Sequence, residues 1–197
     1  MTKKILFSIL LLSLVTSAFS QSETVRYADP NAPRPYADSY LKTRPKNKIQ
    51  AAFPFDIELK DADGNVTVSN KLFSKKKATV VAFWLTTCVP CKVELNEYRK
   101  KFAEWQQQAD FDLFAISIDF PQNHEAFMQM AQRENYPFPT YLDINREFKE
   151  ILPGELNGLP QVFIFDSVGN IAYHHKRFRL GDEQELFSKI LELNAAK

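Results

Sequence analysis

Apolar and polar positions first alternate at Phe53, Phe55, Ile57 and Leu59, the period-two pattern of a half-buried strand beginning near residue 52. Residues 61–65 carry turn chemistry, and Val66–Val68 reads as the returning strand of a hairpin. Asp61 and Asp63 do not make a calcium loop, because that pattern wants glycine at its sixth position and a late glutamate, and Gly64 comes too early. Residues 78–85 are apolar without a break. Such a run predicts a strand buried on both faces, as in a sheet covered by helices on each side. A helical period then takes over. Cys91, Leu95, Tyr98, Phe102, Trp105 and Ala109 share one face of a helix from Val89 to about Gln107. Pro90 falls in its first turn, where a missing N–H costs nothing.

Residues 111–119 read as another apolar strand. Asn123 is the expected cap of a helix running to about Asn135, with Ala126, Phe127, Met130 and Ala131 on its inner face. The two methionines at that spacing read as core. A short strand, Thr140–Asp143, and a short helix over 147–152 follow. Residues 161–166 and 171–178 form a second hairpin about the turn 167–170. Asp182, with Glu185 three residues on, predicts a capping-box start for a last helix, whose inner face is Leu186, Ile190 and Leu193. The succession is that of an α/β protein: one central mixed sheet flanked by helices, with a hairpin at its N-terminal end.

The pattern assigns the folded domain to residues 51–197. Residues 21–50 are polar, lack periodicity and carry Pro30, Pro33, Pro35 and Pro45, which predicts a flexible or wrapping extension. Residues 1–20 read as a secretory signal: Lys3 and Lys4 precede an apolar run from Ile5 to Val15, and Ala18-Phe19-Ser20 places small residues for cleavage before Gln21. The apolar run is short for a membrane span of about 20 residues. Membrane attachment is therefore expected only if this segment stays uncleaved. With no cysteine nearby, a lipid anchor on cysteine is excluded. The expected compartment is periplasmic or extracytoplasmic. A net charge of +1 offers no electrostatic case for nucleic acid.

Composition narrows the chemistry further. The chain has two cysteines, Cys88 and Cys91, and three histidines, at 124, 174 and 175. A zinc site needs about four ligands, and no histidine stands in ligand-like spacing to the cysteines, so no metal is expected. In an oxidising compartment, structural disulfides usually close long loops. A bridge over two residues is a poor staple and a good redox switch, although a merely structural bridge stays open. The junction itself points to redox chemistry. A strand ending at Thr86 or Thr87 delivers Cys88 to a helix N-terminus, whose free N–H groups favour a thiolate. Cys88 is then the nucleophile, and Cys91, one turn inside, resolves the mixed disulfide.

The segment Val80-Val81-Ala82-Phe83-Trp84-Leu85-Thr86-Thr87-Cys88-Val89-Pro90-Cys91-Lys92-Val93-Glu94 resembles the thioredoxin superfamily, and most closely the TlpA/ResA-like exported thiol–disulfide oxidoreductases. Gly158-Leu159-Pro160-Gln161-Val162 is similar to that fold's second signature, a cis-proline loop entering a strand. The resemblance covers about residues 52–195 and implies a thioredoxin-like fold with a central strand–helix insertion, here residues 123–143. It implies a cis Pro160 beside the cysteines, with Leu159 offering its backbone to a substrate strand. It also implies a proton-transfer role for Glu94, three residues after Cys91; the bland alternative is a solvated glutamate, as Glu97 reads beside Lys101. No cofactor is implied beyond the redox-active pair.

Three departures stand out: Thr87 replaces the usual tryptophan, Ala82 replaces a buried acid or asparagine, and the inner dipeptide is Val-Pro. The expected function is an exported oxidoreductase that reduces protein disulfides and is recharged by an upstream thiol protein. A thioredoxin-scaffold binding module with a vestigial or regulatory cysteine pair is the alternative from another class. A peroxiredoxin-like peroxidase is a further one, but it wants a differently framed cysteine and a positioned arginine.

Overall fold

The computed structural model describes Phe53 and residues 56–196. The expected signal segment and the proline-bearing extension lie outside the described residues. Among the described residues seven strands form one sheet: β1 (Glu58–Asp61), β2 (Val66–Val68), β3 (Ala78–Trp84), β4 (Phe111–Ser117), β5 (Thr140–Asp143), β6 (Gln161–Phe165) and β7 (Ile171–Lys176). Four α-helices complete it: α1 (Val89–Gln108), α2 (His124–Glu134), α3 (Glu147–Ile151) and α4 (Asp182–Ala195). The strand order is β2-β1-β5-β4-β3-β6-β7. β3, β4 and β5 run parallel to one another, and the outer pairings are antiparallel. This is the expected mixed sheet with an N-terminal hairpin, and the stretch holding α2 and β5 is the central insertion: β5 slots between β1 and β4.

Every residue of β3 is buried, which explains its unbroken apolar run. The pleat divides them. Val80, Ala82 and Trp84 face a core built with Leu95 and Tyr98 of α1, Phe127 of α2, and Leu186 and Ile190 of α4. Val81 and Phe83 face the opposite core, with Phe53, Phe148 of α3, Leu152 and Phe163. Aromatic rings fill both, as in the edge-on pair Phe53–Phe165 at 4.9 Å and the stacked pair Trp105–Phe187 at 5.0 Å.

Several boundaries differ from the sequence reading. β1 begins at Glu58, not near 52, because the Phe53 N–H bonds the carbonyl of Gly169 instead of a strand neighbour, 2.6 Å away. β3 ends at Trp84, two residues early, since the chain turns there to bond Cys88 N–H to the Leu85 carbonyl (3.0 Å). Asn123 makes no side-chain cap and Ala126 is exposed, whereas Met128 and Met130 pack on the core as the pattern expects. The last helix is not started by a capping box. Gly181, at φ 105°, is the cap residue, and its N–H is taken by Glu183 at 2.8 Å. Glu185 accepts from Tyr173 at 3.2 Å. Asp61 receives the amides of Asp63 (2.9 Å) and Asn65 (2.8 Å), so its carboxylate closes a plain turn.

Candidate active site

The parallel β3–β4 pair sets the position of the cysteines. Ile118 N–H bonds the Trp84 carbonyl at 3.0 Å, which ties the end of β4 to the end of β3. Below this tie, Asp119 is fully buried. Its carboxylate accepts from the Thr86 amide (2.9 Å), the Thr86 hydroxyl (2.9 Å) and the Ser117 hydroxyl (2.6 Å). Burying a carboxylate is expensive unless such donors satisfy it. This knot therefore holds the residues that lead into Cys88 in one shape.

Cys88 is the N-cap of α1 and is half-buried; Cys91 is fully buried one turn inside. The two are joined by a disulfide, and the Cys91 amide donates to Cys88 Sγ at 3.3 Å. That amide is one of the N–H groups a helix leaves without an internal partner. It would support negative charge on a reduced Cys88 sulfur. Val89 beside it is 65% exposed, so the Cys88 side of the pair faces solvent while the Cys91 side does not.

Glu94 lies on the Cys91 side of α1 and is 1% exposed. It is thus no solvated surface glutamate; Glu97 is half-buried and bonds the exposed Lys100 (2.6 Å), not Lys101. Oε1 of Glu94 accepts from the Tyr98 hydroxyl at 2.9 Å, and Oε2 has no hydrogen-bond partner among the described residues. Burial raises the carboxyl to about 8; the Tyr98 bond pulls the other way, and the nearby charge of Asp182 pushes upward again. A carboxyl of that acidity can hold or release a proton near neutral pH.

The Leu159–Pro160 bond is cis, and Pro160 is buried. Leu159 lines the same depression as Cys88, and neither its N–H nor its C=O has a partner among the described residues. Gln161, fully buried, steadies the approach to this loop. Its side-chain amide donates to the Asn157 carbonyl at 2.9 Å, and its Oε1 meets the His174 ring nitrogen at 2.9 Å. His174 stacks on Phe163 with centroids 3.9 Å apart, and burial lowers its proton affinity.

Cys88, Cys91, Glu94 and Leu159 thus come from the two chain segments singled out in the sequence. Tyr98 reads in the sequence only as core, although its four-residue spacing from Glu94 is visible. Gln161 falls inside the second signature without a role of its own, and Asp119 and the cations Arg146 and Lys149 carry no local signal; only the sheet brings Arg146 and Lys149 to the depression beside Cys88.

A family model described as the AhpC/TSA family matches residues 49–174. A search of curated proteins found no match. Among solved structures, a thioredoxin-like protein from Porphyromonas gingivalis is 32% identical, with 75% of this chain and 95% of that one covered and a TM-score of 0.62. The thioredoxin domain of a thiol-disulfide oxidoreductase from Bacteroides vulgatus is 20% identical, over 74% and 99% of the two chains, with a TM-score of 0.56. StoA from Bacillus subtilis is 20% identical, over 71% and 99%, with a TM-score of 0.55. These last two likenesses concern the fold.

Proposed function

The chain belongs to the AhpC/TSA family within the thioredoxin superfamily, and from that premise we propose that it is a TlpA/ResA-like thiol–disulfide oxidoreductase that works as an exported reductase of protein disulfides. One observation carries the reading. A solvent-facing Cys88 caps α1, a sealed Cys91 sits one turn in, and the unpaired backbone of Leu159 lines the same depression.

In the reaction, the Cys88 thiolate attacks one sulfur of a substrate disulfide. A Cys88–substrate disulfide forms, and the other substrate sulfur leaves as a thiolate that takes up a proton. Cys91 then gives up its proton and attacks Cys88 Sγ. The Cys88–Cys91 disulfide closes, and the second substrate thiol is released. Two electrons pass from the cysteine pair to the substrate. An upstream dithiol protein returns them. Leu159 aligns the substrate strand through its backbone, with Pro160 holding the loop, and Glu94 exchanges the Cys91 proton through Oε2. No cofactor beyond the cysteine pair is called for.

Export rests on the leader-like residues 1–20, and an N-terminus at Gln21 in protein recovered from outside the cytoplasm tests it. The catalytic reading is tested with Cys91→Ser, which should trap mixed disulfides through Cys88, and with insulin reduction driven by dithiothreitol. No adduct and no turnover would leave a binding module on this scaffold as the better account. The peroxidase reading draws support from the family match and from Arg146 in the depression beside Cys88. Its test is hydrogen peroxide consumption. Reductase activity without peroxide turnover is the expected pattern.

A further inference from the structure

The depression beside Cys88 has a volume of about 310 Å³, at the small end of the range of about 300–1,000 Å³ for ligand pockets. Ile118, Leu156 and Leu159 give it apolar walls. Its charged lining consists of Arg146 and Lys149, with no carboxylate. Phe120 is 46% exposed and carries the Arg146 guanidinium over its ring at 3.6 Å.

Several cations form no ion pair among the described residues, Lys92, Lys176 and Arg179 included, so what singles out Arg146 and Lys149 is their place beside Cys88. Lys100, Lys101 and Lys189 each meet a glutamate on their own helix, and Lys77 meets Asp112 at 2.8 Å. Arg146 and Lys149 form no ion pair among the described residues. Arg146 is nonetheless held in place. Its backbone is left-handed at φ 58°, and its Nε donates to the Ile118 carbonyl at 2.9 Å. The planar fork is thereby oriented while its charge stays unanswered. A pre-positioned guanidinium loses little freedom when it takes a carboxylate. Lys149, half-buried one turn along in α3, adds a second positive charge to the same wall.

We propose that this groove selects protein disulfides in which an acidic residue neighbours the attacked cysteine. The substrate segment lies extended beside Leu159, its sulfur at Cys88 and its aspartate or glutamate at Arg146 and Lys149. This inference rests on the reductase reading, and the exchange it guides is the balanced two-electron step already described. The cationic wall acts at encounter and docking, where complementary charge raises the association rate.

The test uses the full chain, reduced with dithiothreitol and freed of excess reagent. Three synthetic peptides carry the same intramolecular disulfide and differ only beside one cysteine, which is followed by Asp, Asn or Lys. The Asp peptide should be reduced on the order of tenfold faster than the Lys peptide at low ionic strength, with the Asn peptide between them. That ratio should fall toward one in high salt and in Lys149→Gln, and invert in Lys149→Glu. Arg146→Gln should also lower it, but Arg146 bonds Ile118 as well, so the Lys149 variants decide the matter. Equal rates for the three peptides, or a ratio that Lys149→Glu leaves unchanged, overturns the inference and leaves the reductase reading standing. A wild-type chain that reduces none of them overturns both.

Discussion

Tyr98 donates its hydroxyl to Oε1 of Glu94 at 2.9 Å, one helical turn away, with both side chains buried. The bond supplies one of the two oxygens and leaves the other bare. A neutral carboxyl so held carries its proton on Oε2, the atom best placed to pass it on. Ala82, fully buried, offers no titratable group on that side of β3, so the proposed proton transfer falls to this pair.

Replacing Tyr98 by Phe removes the hydrogen bond that holds the Glu94 value down. Glu94 should then titrate above about 8 in the oxidised protein. Carboxyl titration by NMR reads this directly, and a downward shift would overturn the account. The unpaired carboxyl should also cost about 1–3 kcal/mol of stability.

Stability should fall as pH rises toward 8. Glu94 is raised from 4.5 to about 8, so between those values the native state keeps a proton that the unfolded state has lost. Below 4.5 both states hold it, and above 8 neither does, so the loss levels off. Asp143, buried and raised from 3.8 to about 7, acts in the same sense over the lower part of that range. His174 opposes them: its affinity is lowered from 6.5, so its contribution is lost as pH falls below that value. Urea unfolding between pH 6.5 and 8 should therefore lose about 1 kcal/mol per pH unit. Glu94→Gln should remove most of that slope; an unchanged slope would mean another group is responsible.

Asp119→Ala should destabilise the protein by about 2–4 kcal/mol, because three buried donors on Thr86 and Ser117 lose their acceptor. Thr86→Val removes one side-chain bond, keeps the amide bond and should cost less. Equal losses in denaturant unfolding would show that the Thr86 amide and Ser117 hydroxyl bonds contribute nothing.

Gln161→Leu keeps the bulk but cuts the ties to Asn157 and His174. The loop ahead of Leu159 should loosen, so KM for a protein disulfide should rise several-fold. Alkylation of reduced Cys88 by a small reagent should keep its rate. A matching fall in both would point to general damage to the fold.

Much of this architecture was legible in the chain because its signals are local. Burial of β3 on both faces leaves a continuous apolar run, and α1 shows its inner face as a 3.6-residue period beginning at Cys91. The misreadings fall where a distant partner intervened. Phe53 continues a strand-like alternation, but its amide goes to Gly169. Asp182 and Glu185 are spaced as a capping box, yet Asp182 bonds the Arg179 amide (2.7 Å) and His175 (3.1 Å), while Glu185 goes to Tyr173. Tyr173 and His175 reach the start of α4 only after β6 and β7 have paired.

The sequence by itself determined the cysteine pair and its asymmetry. A strand, two cysteines one turn apart and a helix are contiguous, and a helix N-terminus treats its first sulfur differently from its second. Tertiary structure alone decided the surroundings. Asp119 beneath Thr86, Leu159 beside Cys88, and Arg146 and Lys149 along the groove come from separate crossovers of one sheet. The acidity of Glu94 belongs there too. Its residue type and spacing are written in the chain, but burial in the folded core raises it.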